Sequence, residues 1–250
     1  YRCAGTKIQF KGETFTVRGA SPEAFKDADI ALFAVGTEVS KMLAPSANAN
    51  DCVVIDNSNA FRLDDNVPLV VPEVNPDDIA WHKGIIANPN CSTTIMVVAI
   101  NPIHQRARIK RAIVSTYQAV SGAGIAGFGE LDQHIQAQMN NEPFKLEVFK
   151  YPIAFNVIPH IDDFVEDDYT REEMKLVWEA RKIMHAGDLK VSATAVRVPV
   201  YRSHAEAITL ETEEHISVEQ ARQILANAPG IVVQDDPSQN LYPMPYYTSE

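Results

Sequence analysis

One cysteine lies where a helix is expected to begin, and that position suits a nucleophile. Pro89 disfavours a helix before it and Asn90 is a good N-cap residue, so Cys91 should fall in the first helical turn. Free backbone N–H groups and the helix dipole there favour a thiolate, and could hold an oxyanion formed on a carbonyl substrate. We interpret Cys91 as a candidate nucleophile, with a buried structural thiol as the alternative, and Cys52 as a core residue.

A thiolate nucleophile needs a group that transfers protons, and the chain has seven histidines. His204 lies in a short loop between two expected strands, where a surface histidine is the alternative interpretation. His160 directly follows an apolar segment and competes with it, either as a base or as a packing residue. We favour His204.

Three further positions could hold anions or ammonium groups. Arg197 interrupts an apolar segment, and a buried guanidinium is costly unless an anion faces it. Arg62 follows an expected strand and could contact an anion or lie on the solvated surface. Glu172 and Lys175 are three residues apart and share a helix face, which alone indicates only a surface ion pair.

The elements before residue 89 predict part of a parallel α/β sheet. Alternating residues at 7–10 and 13–17 predict a hairpin. The apolar runs 29–35 and 52–56 predict strands buried on both faces, with a helix over 38–48 between them. Short strands are expected at 69–71 and 84–87.

After residue 90 the pattern changes to long strands alternating with helices, which predicts a second, α+β domain. We therefore divide the chain into domains 1–89 and 90–250. The expected helices are 91–105, 130–141, 170–185 and 218–228, and the expected strands are 110–120, 153–158, 191–198, 205–212 and 231–234.

A G-x-G-x-x-G pattern occurs at Gly122, Gly124 and Gly127, after a strand and before a helix. No buried strand with a ribose-binding acid follows promptly, so we do not interpret it as a dinucleotide fingerprint. These glycines are expected to allow close backbone approach to a ligand or to make a tight turn.

Composition excludes several classes of protein. The net charge of −11 disfavours sequence-independent nucleic-acid binding. The longest apolar runs are too short to cross a bilayer, so no membrane partner is expected. Three scattered cysteines do not form a disulfide framework, which indicates reduced thiols and a cytoplasmic location, or a plastid if the source is a plant.

Seven segments in order resemble aspartate-semialdehyde dehydrogenase. The segments are VVIDNSNAFR (53–62), PLVVPEVN (68–75), NPNCSTT (88–94), YQAVSGAG (117–124), PIAFNVIPHID (152–162), YTREEMK (169–175) and RVPVYRSHAE (197–206). The resemblance implies a partial Rossmann-like NADP-binding domain followed by an α+β catalytic and dimerisation domain, as in glyceraldehyde-phosphate dehydrogenase. It also implies a homodimer or homotetramer without a metal.

The implied reaction is the reversible, NADP-dependent reductive dephosphorylation of L-aspartyl 4-phosphate to L-aspartate 4-semialdehyde, in lysine, threonine and methionine biosynthesis. The resemblance makes Cys91 the nucleophile that forms an acyl-thioester, His204 the general acid/base and Gln118 the residue that orients the acyl group. The substrate contacts it implies are Arg197 for the α-carboxylate, Glu172 for the amino group, and Arg62, Asn90 and Lys175 for phosphate.

Six residues would contact NADP by the same resemblance. Ser121 and Gly122 would lie beside the nicotinamide ribose, and Gly36 and Thr37 would contact the cofactor from the first domain. Arg2 and Cys3 match a short segment that receives the 2′-phosphate, with Cys3 in place of Ser. The glycine-loop segment that opens the family and its closing segment are not in the sequence, so we expect these 250 residues to bind NADP weakly.

Other functions remain open from the residues alone. The nearest is another phosphorylating aldehyde dehydrogenase or acyl-phosphate reductase, such as N-acetyl-glutamyl-phosphate reductase, for whose substrate Glu172 would have no free amine to bind. A thiol hydrolase would use Cys91 and His204 without hydride transfer. A non-catalytic oligomerising fragment is the third alternative.

Overall fold

The computed structural model describes residues 3–249, which form two compact units. The first unit comprises the residues up to 70 and residues 77–89, and the second comprises residues 71–76 and those from 90 onward. Each unit has its own sheet.

In the first unit a hairpin precedes a small parallel sheet. Strands β1 (Lys7–Phe10) and β2 (Glu13–Thr16) pair antiparallel, as predicted. Strands β3 (Ile30–Phe33), β4 (Val53–Asp56) and β5 (Ile85–Ala87) form a parallel sheet in the order β3-β4-β5. Helix α1 (Thr37–Asn48) connects β3 to β4. This βαβ arrangement is the partial Rossmann-like sheet that the sequence predicts.

The prediction that the run 29–35 is buried on both faces is wrong. Phe33 and the partly buried Ala31 pack into the core with Phe25 and Leu43, but Ile30 and Leu32 are 60% and 76% exposed. The reason is that, among the described residues, the core elements pack against only one face of β3.

The second unit contains a three-stranded mixed sheet and the remaining helices. Strand β6 (Ile109–Gln118) lies at its centre, parallel to β7 (Lys190–Arg197) and antiparallel to β8 (Ala205–Thr212). The helices are α2 (Cys91–Ala107), α3 (Ile125–Asn140), α4 (Arg171–Ile183), α5 (Val218–Ala226) and the short α6 (Pro245–Thr248).

One face of this sheet is covered and the other is open. Along β6, Val114, Thr116 and Gln118 are buried, whereas the alternate residues Ile113 and Tyr117 are 48% and 45% exposed. Helices α2 and α4 pack against the sheet. Gln118 therefore lies on the covered side, where the helices bring further polar side chains.

The strand register gathers three predicted site residues at one end of the sheet. Gln118, the last residue of β6, is paired with Arg197, the last residue of β7. Tyr117 is paired with Ala205, the first residue of β8, so His204 lies at the same end. The order of parallel and antiparallel strands therefore determines where the site is built.

Three predicted strands do not form in the described chain. Over 69–71 only Leu69 makes a bridge, to Ala87. Over 153–158 only Ile158 makes a bridge, to Arg197, because Phe155 has a positive φ of 56° that interrupts an extended chain. Ile153 and Ala154 nevertheless enter the core, as part of an irregular segment. The segment 231–234 carries strand-forming residues but pairs with no strand, and Val232 is 85% exposed.

Candidate active site

Helix α2 begins at Cys91, and Asn90 caps it as the sequence predicts. The Asn90 Oδ1 accepts hydrogen bonds from the backbone N–H groups of Ser92 (3.0 Å) and Thr93 (3.1 Å). The capped N-terminus places the Cys91 thiol at the solvent-accessible start of a 17-residue helix.

The predicted activation of Cys91 by the helix terminus is wrong in its net direction. Desolvation and the nearby Glu172 carboxylate raise the pKa of the thiol, and hydrogen bonds from Ser92 and the charge of Arg197 only partly oppose this. One reason is that the N–H groups of residues 92 and 93 also donate to Asn90 Oδ1, which leaves less of their stabilisation for a thiolate. Cys91 is therefore mainly a thiol at neutral pH and needs a partner that handles its proton.

Helix α4 presents a buried carboxylate to this cap. Thr170 and Glu173 form a capping box that starts the helix two residues before the site. Glu172 then accepts hydrogen bonds from Asn90 Nδ2 (3.0 Å) and Gln118 Nε2 (3.2 Å). A single carboxylate thus joins the start of α2, the end of β6 and α4.

Lys175 lies one helical turn further along α4. It does not form the surface ion pair with Glu172 that the spacing alone indicates, because both side chains are largely buried. Its Nζ contacts Glu172 (3.0 Å) and Asp162 (2.8 Å), and its side chain is only 12% exposed. Desolvation disfavours its charge, but the two carboxylates outweigh this and raise the pKa of Lys175. Lys175 is therefore a positively charged side chain, fixed beside the site by two carboxylates.

Arg197 is buried, as its apolar surroundings in the sequence predict. Its Nη1 donates to the carbonyl oxygen of Ala119 (2.7 Å). A Cβ at residue 122 would lie 2.7 Å from this nitrogen, so Gly122 is needed for the close approach. Burial lowers the pKa of the guanidinium, with Glu172 and Cys91 opposing the shift.

His204 is oriented by the same residue that holds Arg197. Its Nδ1 accepts from the backbone N–H of Ala119 (3.0 Å), so the neutral ring carries its proton on Nε2. A Cβ on Gly122 would lie 3.5 Å from Nε2. Burial and Arg197 lower the pKa of His204, with Glu172 opposing, so the imidazole is neutral at neutral pH.

The predicted residues divide between the two units. Within the second unit, hydrogen bonds or electrostatic interactions join seven of them: Asn90, Cys91, Gln118, Glu172, Lys175, Arg197 and His204. Arg62 belongs to the first unit, where it is buried and donates to the carbonyl oxygens of Asn57 (2.9 Å) and Asn88 (2.8 Å).

The residues predicted to contact the cofactor lie in different parts of the chain. Gly36 is the N-cap of α1 and Thr37 its first residue, and Cys3 is exposed. The Ser121 N–H donates to the carbonyl oxygen of Tyr201 (3.1 Å). Arg2 lies outside the described residues.

The three glycines of the G-x-G-x-x-G pattern serve local geometry. Gly122 admits Arg197, and Gly124 has a positive φ of 74° just before α3. A Cβ on Gly127 would lie 2.5 Å from the carbonyl oxygen of Val120. These are the close approach and tight turn that we expect from the pattern.

Sequence reasoning missed two acidic residues. Glu179 Oε2 accepts from the backbone N–H of Asn90 (2.7 Å), and Asp162 pairs with Lys175. Glu179 follows Glu172 by seven residues, so helical periodicity could have placed both carboxylates on one face. Asp162 lies in an irregular segment and gives no such signal.

Residues 3–249 contain neither a membrane-spanning helix nor a cluster of metal-binding side chains. No helix there is long and apolar enough to span a bilayer. No group of three or more His, Cys, Asp or Glu side chains in that range could hold a metal ion.

Comparisons with known proteins identify the family of this chain. Residues 1–82 match the family model "Semialdehyde dehydrogenase, NAD binding domain", and residues 100–250 match "Semialdehyde dehydrogenase, dimerisation domain". Aspartate-semialdehyde dehydrogenases from Aquifex aeolicus and Bacillus subtilis are 53% and 51% identical; each alignment covers 98% of this chain and 73% of the relative.

Solved structures give the same result. Aspartate semialdehyde dehydrogenase II from Vibrio cholerae superposes with a TM-score of 0.89 at 45% identity, covering 92% of this chain and 69% of that one. The Candida albicans enzyme, solved with NADP, gives a TM-score of 0.67 at 26% identity, covering 90% and 66%. The chain therefore belongs to the aspartate-semialdehyde dehydrogenase family of oxidoreductases.

Proposed function

We propose that the chain catalyses the reversible, NADP-dependent conversion of L-aspartyl 4-phosphate to L-aspartate 4-semialdehyde and phosphate, within lysine, threonine and methionine biosynthesis. The observation that supports this most is the linkage of Cys91, Glu172, Gln118, Arg197 and His204 around the start of α2. A nucleophile, an acid/base group and charges for both ends of an amino acid substrate are thus close together.

In the direction of semialdehyde oxidation, the Cys91 sulfur bonds to the aldehyde carbon and gives a hemithioacetal. As the C–S bond forms, the thiol proton of Cys91 is released to solvent. His204, the proposed acid/base group, donates a hydrogen bond from Nε2–H to the oxyanion that results, and the oxyanion collapses to the carbonyl when hydride leaves. The lowered pKa of His204 keeps the ring uncharged for this hydrogen bond.

NADP, when bound, would supply a hydride acceptor, and loss of hydride from the hemithioacetal carbon would leave Cys91 as an acyl-thioester. Gln118, at the end of β6, orients the acyl group. A phosphate oxygen then attacks the thioester carbonyl, the C–S bond breaks, and acyl phosphate and the Cys91 thiolate are released.

Opposite charges would hold the two ends of the substrate. The guanidinium of Arg197 would bind the α-carboxylate, and Glu172 would bind the α-ammonium group. Phosphate would be bound by Arg62, Asn90 and Lys175. Because Lys175 contacts two carboxylates in this structure, phosphate would have to compete with Asp162 and Glu172 for it.

The chain's own residues fit a dinucleotide at the start of α1. This helix follows the carboxyl end of β3, where parallel sheets bind ligands, and Gly36 leaves its first N–H groups without a side-chain cap. A Cβ on Gly36 would meet nothing within 4 Å. We propose that Gly36, Thr37, Ser121 and Gly122 contact NADP, and that Arg2 and Cys3 bind its 2′-phosphate.

We also propose that the protein forms a homodimer or homotetramer. The match of residues 100–250 to a dimerisation domain supports this, as does the open face of the β6–β8 sheet with Ile113 and Tyr117.

The decisive assay is phosphate-dependent reduction of NADP with aspartate semialdehyde. It should be run on these 250 residues and on a version extended at both ends to the length of the relatives, with NAD in parallel. We expect Cys91→Ala to abolish turnover in the extended version. Turnover without phosphate would favour a thiol hydrolase, and preference for the N-acetylated glutamate analogue would favour the reductase.

A further inference from the structure

A cavity of about 240 Å³ opens beside Arg197, and Asp162, which pairs with Lys175, also lines it. Apolar side chains, including Phe149, Ile158 and Ile161, form part of its wall, and Lys150 and His160 add polar groups. Ile158 and Arg197 exchange two backbone hydrogen bonds of 2.9 and 2.8 Å, which fix this segment beside the guanidinium.

The Arg197 guanidinium lines this cavity with N–H groups that lack an acceptor among residues 3–249. Its side chain donates only from Nη1, to Ala119, and its other N–H groups have no acceptor among the described residues. A buried guanidinium in this state is stabilised by an anion that arrives with the ligand.

His160 is the second unsatisfied group on the cavity wall. Its Nε2 is buried and has no hydrogen-bond partner among the described residues. The ring stacks on Phe164, with centroids 4.5 Å apart and planes 25° from parallel, which holds its orientation. An unmade hydrogen bond at a buried polar atom is costly, so a ligand that supplies the partner gains affinity there.

The acidic residues of the wall do not exclude an anion. Asp162 is neutralised by Lys175 at 2.8 Å, and its pKa is lowered by that contact although burial opposes the shift. Asp163 also lines the cavity, and so do the basic residues Lys150 and Arg197.

We propose that His160 is a specificity-determining residue for the substrate's α-carboxylate, the group assigned above to Arg197: His160 donates from Nε2 to one carboxylate oxygen while Arg197 binds the other. The inference rests on the proposed function, because it names the carboxylate of that substrate. It gives His160 a role apart from the acid/base role of His204.

The test compares His160→Phe with the unaltered enzyme. Phenylalanine keeps a planar ring against Phe164 and removes the donor, and His215→Phe, at an exposed position, is the matched control. The substrates are aspartate semialdehyde and 3-aminopropanal, which lacks the carboxylate. We expect His160→Phe to raise KM for aspartate semialdehyde about tenfold or more, with KM for phosphate and kcat/KM for 3-aminopropanal unchanged.

Two results would overturn the inference: an unchanged KM for aspartate semialdehyde, or an equal loss with the carboxylate-free aldehyde. In a cycle with Arg197→Lys, the two effects should be non-additive, since both side chains bind one group. Full additivity would also contradict it.

A binding measurement separates this inference from the proposed function. L-2-aminobutyrate carries the α-carboxylate and has no aldehyde, so it cannot react. 1-Propylamine is the same molecule without the carboxylate. Calorimetry on the unaltered protein and on His160→Phe should show about tenfold weaker binding of the first ligand only. If the unaltered protein lacks turnover the proposed function fails, yet equal aminobutyrate binding by both proteins would still refute the role of His160.

Discussion

At the residue scale, the site depends on how one asparagine divides its hydrogen bonds. The Asn90 side chain caps α2 through Oδ1 and holds Glu172 through Nδ2, and its backbone N–H is taken by Glu179. The cap that starts the helix therefore also positions the carboxylate that raises the pKa of Cys91. Structure and reactivity are set by the same side chain.

The first prediction concerns the reactivity of Cys91. Glu172→Gln removes a negative charge near the thiol, so its pKa should fall and more thiolate should be present at pH 7.5. In a Cys3→Ser background, which removes the other exposed cysteine, we expect Cys91 alkylation by iodoacetamide to become several-fold faster.

Asp162→Asn is the control, because Asp162 contacts Lys175 and does not act on Cys91. Equal acceleration in both variants, or none in Glu172→Gln, would show that the Glu172 charge does not determine the thiol's pKa.

The sequence predicted residues whose local pattern is unusual. Cys91 after a strong N-cap, and Arg197 in an apolar strand, are recognisable without a fold. The net shift of the Cys91 pKa was not predictable, since it depends on Glu172, which is 81 positions away in the chain. Asp162 was missed for the same reason: that it pairs with Lys175 is known only once the irregular chain around Asp162 is placed in the fold.

At the element scale, glycines in the loop after β6 determine how closely strand and helix residues approach. Gly122→Ala would place a Cβ 2.7 Å from Arg197 Nη1, so the guanidinium must move and its bond to Ala119 must break or lengthen. We expect kcat/KM for aspartate semialdehyde to fall at least tenfold, with a much smaller change in Tm.

Gly129→Ala is the matched control in α3. A Cβ there meets nothing within 4 Å, and alanine favours a helix over glycine by about 1 kcal/mol. This variant should keep its activity and gain slightly in Tm. Similar activity losses in the two variants would contradict the steric explanation.

Elements with a clear period were predicted well, and apolar segments without one were not. Helix α4 and the three strands of the second sheet lie within two residues of their predicted bounds. The segment 153–158 failed because its apolar residues fill a core from an irregular backbone with a positive φ at Phe155. Burial, and not strand formation, explains that composition.

At the scale of the whole molecule, one buried acid makes stability depend on pH. Glu206 has both carboxyl oxygens buried without a hydrogen-bond partner among the described residues, and burial raises its pKa to about 8. The unfolded chain loses this proton near the ordinary value of 4.5, and the native state keeps it to about 8. The free energy of unfolding should therefore decrease as the pH rises between these values, by at most about 5 kcal/mol.

Glu206→Gln should remove this slope and raise the stability at pH 8 relative to the unaltered protein, as measured by denaturant unfolding at pH 5, 6.5 and 8. Glu211→Gln on the same strand is the control. Glu211 is exposed and its pKa is lowered by Lys110, so its small effect should have the opposite sign. If the free energy of unfolding changed with pH equally in Glu206→Gln and in the unaltered protein, Glu206 would not be the cause of the pH dependence.

Assembly is the other property of the whole molecule. If the open face of the second sheet forms the subunit interface, Ile113→Asp should shift the protein to monomers in light scattering, because a charge is costly in an apolar contact. Val218→Asp, at an exposed position on α5, should leave the mass unchanged. Unchanged mass in both variants would place the interface elsewhere.

The register that aligns Gln118 with Arg197 also limits how the length of this chain can vary. Inserting one residue within β6 would turn Gln118 from the covered face to the open face and would separate it from Glu172. Insertions in the irregular segment 141–157 shift no strand pairing. Gains and losses of residues among relatives should therefore concentrate in that segment, and the three strands should retain their lengths.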